Sequence, residues 1–353
     1  MQIKKRRVDN GINMFNKKII VLFFVIVSLT CYSQNKNAEK YLEQGTAKYN
    51  LQDYSGAIQD YNKAIEINPQ YADAYNNRGN AKSKLEDYRG AIQDYNKAIE
   101  INPQLAEAYL NRGSAKSKLE DDSGAIQDYN KAIEINPQYA TAYYNRGIAK
   151  SKLEDDSGAI QDYNKAIEIN PQLAEAYLNR GGAKQDLQDY RGAIQDYNKA
   201  IEINPQYADA YYNRGVAKGI LQDYRGAIQD YTKVIEINPQ DATAYWIRGT
   251  AKSELEDNRG AIQDYTKAIE INPQYADAYY NRGFAKYDLE DYRGAIQDYT
   301  KAIEINPQLA TAYYNRGIAK YRLNDKSGAC LDWSKAGELG AMKAYDLIRK
   351  YCK

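Results

Sequence analysis

Histidine is missing altogether from the 353 residues. Its absence removes imidazole general acid–base catalysis, Ser–His and Cys–His nucleophile pairs, and every histidine-containing zinc site. Cysteine is nearly as scarce. Cys31, Cys330 and Cys352 are too few and too scattered for a four-thiolate metal centre, so neither a metal nor another cofactor is expected. Charge of one sign is lacking too, the formal net charge being +1. The positive excess sits near the start, where Lys4, Lys5, Arg6, Arg7, Lys17 and Lys18 face only Asp9, and the remainder is mildly acidic and well mixed. A nucleic-acid surface needs a basic stripe to neutralise phosphates, so no nucleic-acid partner is expected. Long apolar runs are absent except for IIVLFFVIVSLT at 19–30, which is short for a membrane span of about 20 residues.

Proline is rare, yet its placement is regular. The eight prolines, Pro69, Pro103, Pro137, Pro171, Pro205, Pro239, Pro273 and Pro307, follow one another every 34 residues. Fixed-period self-similarity outranks length as a guide to architecture, and it predicts one elongated array rather than two compact domains. The stretch AIQDYNKAIEINPQ begins at 57, 91, 125, 159 and 193, with near-copies at 227, 261 and 295.

Within one repeat, Ala91, Ile92, Tyr95, Ala98 and Ile99 have the i, i+1, i+4, i+7, i+8 spacing of one helix face. Asp87 is placed to cap that helix, and Asn102-Pro103 stops it, because the residue before proline is pushed out of the α region. The preceding half, with Ala74, Tyr75, Gly79 and Leu85 roughly on one side, predicts another helix. Two helices joined by a short turn make an antiparallel hairpin, with Gly79 and Ala91 as the small residues of close approach. Such a hairpin cannot bury its apolar face alone, so neighbouring repeats must stack.

The pattern Tyr75…Gly79…Ala91…Tyr95…Ala98…Pro103 resembles the tetratricopeptide repeat. Nine repeats (38–71, 72–105, 106–139, 140–173, 174–207, 208–241, 242–275, 276–309 and 310–343) carry the resemblance over 38–343. It implies an all-α fold, a right-handed α-solenoid, whose first helices line a concave groove for partners. One departure is systematic. Where the family favours leucine before the first-helix glycine, this chain has Arg78, Arg112, Arg146, Arg180, Arg214, Arg248, Arg282 and Arg316, with Gln44 in the first repeat. The expected role is structural, the stem packing and the guanidinium meeting a nearby Asp or helix carbonyl.

The ninth repeat decays into ACLDWSKAGELGAM, and 341–353 reads as a capping helix with Met342, Tyr345 and Ile348 on one face. If the two helices fold back around Gly340, Cys330 and Cys352 approach each other. Either a disulfide staples the cap, as an exported protein allows, or two free thiols remain. At the other end, a positive MFNKK followed by the apolar run and CYSQ resembles a bacterial signal peptide, 1–33, cut before Gln34. The charged stretch before Met14 points to a start at Met14. The competing readings are an uncleaved membrane anchor, with an assembly factor held at the inner membrane, and a lipidated Cys31. The expected location is outside the cytoplasm: periplasmic, outer-membrane-associated or secreted.

Variation between copies shows where individuality lies. Repeat positions 10, 11, 14, 16, 19, 20, 23 and 26 scarcely change, whereas 5, 9, 12 and 13 change freely and share one stripe of the first helix. Lys84, Lys118 and Lys152 would form a basic ladder on this stripe. Further along it offers Tyr212, Val216 and Ile220, then Trp246, Thr250 and Glu254. Tyr280, Phe284, Tyr287 and Asp288 follow, and Tyr314, Ile318 and Tyr321 end it. Clustered aromatics favour partner anchoring. Relatives that clamp a chaperone's terminal carboxylate need Lys at position 5; here Asn, Leu, Tyr or Trp stands there, which excludes that subtype. The expected function is a non-catalytic scaffold for a protein or peptide partner, because the repeats leave no room for a catalytic domain. Its alternative is a glycan or cell-wall binder, since Tyr and Trp faces also stack on sugars. Membrane contact is expected only through the N-terminal segment if that is retained. Oligomeric state has no signature in the sequence.

Overall fold

A computed structural model describes residues 36–352, which form helices and turns with no strand among them. The signal-peptide, Met14 and Cys31 expectations lie outside the described residues. Two compact bodies are distinguished along the described chain, the boundary falling between Asn170 and Pro171. Each is itself a run of tandem hairpins.

The first body holds α1 (described over 36–50), α2 (Tyr54–Ile67), α3 (Ala72–Lys84), α4 (Tyr88–Ile101), α5 (Ala106–Lys118), α6 (Asp122–Ile135), α7 (Ala140–Lys152) and α8 (Asp156–Ile169). The second holds α9 (Ala174–Asp186), α10 (Tyr190–Ile203), α11 (Ala208–Ile220), α12 (Tyr224–Ile237), α13 (Ala242–Glu254) and α14 (Asn258–Ile271). It continues through α15 (Ala276–Asp288), α16 (Tyr292–Ile305), α17 (Ala310–Arg322), α18 (Lys326–Glu338) and α19 (Lys343–Tyr351). Within a body, each first helix pairs with the second helix of its own repeat, and that second helix packs on the next first helix.

Local chemistry sets the boundaries. Asp87 accepts from the Gly90 N–H at 2.9 Å and caps α4, and aspartates cap the other second helices in the same way. Asn102 before Pro103 is extended, which ends the helix, and its side chain accepts from the Gln104 N–H at 3.0 Å to shape the turn. First helices end at a left-handed residue that is never glycine: Glu86, for example, has φ 63°. Leu85 is therefore the cap after α3 and not part of its buried face, contrary to the periodicity. The leucines at this position are 41–81% exposed.

The hairpin core is alanine and tyrosine. Ala74, Ala81, Ala91, Tyr95 and Ala98 are buried, and a Cβ on Gly79 would come within 2.6 Å of the Tyr95 ring. The glycine exists to seat that ring. In the last repeat Trp333 replaces the tyrosine and lies against Gly317.

The repeated arginine is structural. Arg78 Nε donates to Asp94 at 2.9 Å, its Nη2 donates to the other carboxylate oxygen, and its Nη1 donates to Asn62 on the preceding second helix at 2.6 Å. Lys82 Nζ stands 2.8 Å from the same carboxylate, and the Tyr75 ring covers the guanidinium at 5.3 Å. Arg248 repeats the arrangement in the second body with Asp264, Lys252 and Thr232. Within a body, such an arginine ties its own hairpin to the helix before it.

α19 packs on α18 after a turn at Gly340, φ 96°. Ala344 is buried, and Leu347, Ile348 and Tyr351 pack against Trp333 and Ala336. Met342 is the cap residue and 73% exposed, so the face predicted from Met342, Tyr345 and Ile348 is shifted. Cys330 and Cys352 are joined by a disulfide.

Candidate functional site

The aromatic stripe is largely engaged in packing. The Tyr212 ring lies 6.0 Å from that of Tyr231, and Tyr280 lies 5.8 Å from Tyr299, each within one hairpin. Burial raises the phenol pKa of both stripe tyrosines. Trp246 packs against the buried cluster of Ala261, Tyr265 and Ala285 and lies 5.7 Å from Tyr275, with its indole N–H buried and without a partner. The Tyr314 carbonyl accepts from Trp333 Nε1 at 3.2 Å, and Tyr321 lies 4.6 Å from Tyr351, so both belong to the closure of the C-terminal end. Tyr287 lies 5.2 Å from Tyr292 and accepts from Arg322 Nε at 3.2 Å. Phe284 is exposed and Ile318 half-buried.

The basic ladder is broken. Lys84 and Lys118 are exposed, but Lys152 Nζ donates to Ser117 at 3.1 Å and lies 3.4 Å from Asp122. Its charge is partnered inside the first body.

What the stripe does form is a slot that recurs between successive first helices. The floor is the buried tyrosine at position 24. The walls are positions 9 and 12 of the same repeat with positions 6 and 9 of the next. In the first body such a slot, a cavity of about 180 Å³, is polar and lined by Thr46, Tyr49, Asn50, Tyr61, Asn77 and Asn80. In the second body, a cavity of about 290 Å³ lies between α11 and α13 over Tyr231, with Val216, Gly219, Ile220, Ile247 and Glu254 around it. Another, about 170 Å³, lies over Tyr299 between Phe284, Tyr287, Asn315 and Ile318.

The floor hydroxyls are tuned by position 9. Tyr95 donates to Asn80 at 2.8 Å, Tyr129 to Ser114 and Tyr265 to Thr250, both at 3.4 Å. Burial pushes the Tyr129 and Tyr265 phenols up to about 12, the hydroxyl partner pulling partly back. Variable side chains therefore decide both the polarity of each slot and whether its floor is satisfied. Sequence reasoning missed position 6, which is asparagine from the second repeat to the ninth except at Ile247. That single exchange, read together with Gly219-Ile220, was the signal for the apolar slot.

Among the described residues no cluster of His, Cys, Asp or Glu is gathered to hold a metal, and no helix is long and apolar enough to cross a membrane. A family model described as tetratricopeptide repeat matches 72–105, 140–173, 208–241 and 276–309. A second, described as TPR repeat, matches 45–86, 118–154, 183–219 and 249–290. Among solved structures, the C-terminal part of a TPR repeat-containing protein from Cytophaga hutchinsonii is 21% identical with a TM-score of 0.59, covering 66% of this chain and 96% of that one. A tetratricopeptide repeat protein from Parabacteroides merdae is 21% identical with a TM-score of 0.52, covering 71% and 99%. Pseudomonas aeruginosa pilF is 18% identical with a TM-score of 0.54, covering 59% and 94%. No curated protein matches the sequence.

Proposed function

The chain belongs to the tetratricopeptide repeat family, and from that premise we propose that it is a non-catalytic scaffold binding an extended protein segment across its first-helix slots. The observation that carries this reading is the coincidence of variation with cavity. Positions that stack repeats are nearly constant, while positions 9 and 12, which change, wall the cavities over Tyr231 and Tyr299, joined over Tyr231 by position 13. A segment laid along the second body would place apolar side chains in successive slots, with Ile220 and Phe284 as exposed anchors, 49% and 42% accessible.

Display selection of peptides against the full chain tests the proposal. Selected peptides should lose at least about tenfold in affinity for the Ile220→Glu/Phe284→Glu variant, the effect of charging a desolvated anchor site. Peptides that bind both proteins equally, or no selectable peptide, would sink it.

The scaffold belongs outside the cytoplasm in this reading. Support comes from the positive and apolar segment at 14–33 and from the Cys330–Cys352 disulfide, since such bonds persist in oxidising compartments. N-terminal sequencing of the native protein decides between a cut before Gln34 and a retained anchor. A second reading, glycan binding, has one observation in its favour. Asn50, Asn77 and Asn80 share the first-body slot with Tyr49 and Tyr61, and amides beside aromatic faces suit sugar hydroxyls and rings. Binding of soluble glycans, lost on Asn77→Leu, would support it, and their failure to bind would remove it.

A further inference from the structure

The buried phenol at position 24 commonly finds a hydrogen-bond partner across its own hairpin. The partner comes from position 9, as with Asn80 and Thr250, or from position 12, as with Gln185. The eighth repeat departs from this. Position 9 is Phe284, position 12 is Tyr287, and the Tyr299 hydroxyl is buried with no hydrogen-bond partner. Tyr299 as a whole is 0% exposed. A buried hydroxyl left unpaired is costly and uncommon in folded proteins, so its retention calls for an explanation.

Tyr299 also lines the cavity of about 170 Å³ completed by Phe284, Tyr287, Asn315 and Ile318. That space is several water volumes, enough for a short side chain. The hydroxyl is covered as the slot stands, and Phe284, its exposed wall, is the side chain whose rotation would uncover it. Burial first, then Tyr280, Asp288, Tyr287 and Asp298, hold the Tyr299 phenol protonated, so it serves as a donor. Asp298 is neutralised by Arg282 and Lys286, and Arg322 sits on the Tyr287 hydroxyl at the rim. Asp288 is the carboxylate left nearby, and burial raises its pKa.

These surroundings select the ligand's chemistry. A carboxylate entering the slot would lose hydration among lining residues that include no cation to pair it. An ammonium would bring three donors to walls that are mostly carbon. Asn315 donates through Nδ2 to Tyr280 at 2.9 Å, which leaves its Oδ1 as an acceptor. One donor and one acceptor above apolar walls are the complement of a neutral amide.

We infer that the slot over Tyr299 takes a glutamine or asparagine side chain of the partner, its carbonyl accepting from Tyr299 and its amide donating to Asn315. The inference rests on the reading of the variable first-helix face as the binding face. The stem of the side chain packs between Phe284 and Ile318.

The test uses the full chain and three probes: N-acetylglutamine N-methylamide, its glutamate analogue and its norleucine analogue, titrated at neutral pH by ligand-observed NMR. The glutamine probe should bind, with the other two at least about tenfold weaker, the size of one or two charge-free hydrogen bonds. Tyr299→Phe should weaken the glutamine probe about tenfold while the melting temperature holds or rises, because it removes an unpaired hydroxyl. Phe284→Thr, which supplies the internal partner seen at Thr250, should weaken it similarly. Equal binding of the three probes, no binding of the glutamine probe, or indifference to Tyr299→Phe overturns the assignment. If display-selected peptides remain sensitive to Ile220→Glu/Phe284→Glu in that event, only the amide assignment falls. If both experiments fail, the binding face falls with it.

Discussion

At the scale of single residues, two adjacent glycines in α9 separate packing from helix propensity. A Cβ on Gly181 would come within 2.6 Å of the Tyr197 ring, whereas one on Gly182 meets nothing within 4 Å. Gly181→Ala should therefore destabilise by about 1–3 kcal/mol through overpacking. Gly182→Ala should stabilise by about 0.5–1 kcal/mol through propensity. Denaturant unfolding of the two variants checks the opposite signs. The floor tyrosines make a second residue-scale prediction. Burial raises the Tyr129 and Tyr265 phenols from the ordinary 10 to about 12. The unfolded chain thus releases these protons first, and stability present below pH 10 is lost as pH rises toward about 12. Melting temperature should fall across that window, and the share of phenolate absorbance due to the buried rings should appear only as the chain unfolds. Delayed ionisation of this kind was not legible in the sequence. The helix spacing showed Tyr95 and its equivalents to be apolar-face residues, but not that each ring rests on a glycine of the partner helix.

At the scale of the hairpin, charge and backbone conformation carry the order. Asp230 is 2% exposed and held by Arg214 and Lys218. Removing Arg214 leaves the buried carboxylate with Lys218 as its remaining cation and without the two-pronged guanidinium, so Arg214→Ala should cost about 3 kcal/mol. A chemical denaturation midpoint reads this directly, and a loss within the scatter of surface substitutions would contradict the structural role. The left-handed residue that ends each first helix gives the reverse effect. Glu256 has φ 63° without being glycine, and Glu256→Gly should gain about 0.5–1 kcal/mol by relieving that conformation. A structural role for the arginine was legible, with an aspartate or a helix carbonyl as its partner; that the partner is the aspartate of its own second helix was not. The exposure of Leu85 was not. Periodicity extended the helix by one residue past its true end, and the sequence has no glycine there to announce the left-handed stop.

At the scale of the molecule, repeats and cap divide the work. The sequence period disclosed the tandem hairpins and the decay of the last repeat, since both are written in identity between copies. It did not disclose which stripe residues are spent on packing: Trp246, Tyr314 and Tyr321 look like anchors until their neighbours, Tyr275, Trp333 and Tyr351, are in place. Nor could it choose between a disulfide and two thiols at Cys330 and Cys352, which depends on the turn at Gly340. The bond joins residues 22 apart, and loop closure of that size is worth about 3 kcal/mol to the cap in the chain-entropy model. Reduction should speed hydrogen exchange in α19 well before it affects α15 and α16. The central claim is that binding lies on the variable stripe and the repeated second helices serve stacking. Hydrogen exchange of the full chain with and without a display-selected peptide tests it most directly. Protection concentrated on α11, α13, α15 and α17, around Ile220 and Phe284, is the result expected. Protection confined to second helices such as α12, α14 and α16, with the first helices unchanged, would contradict it.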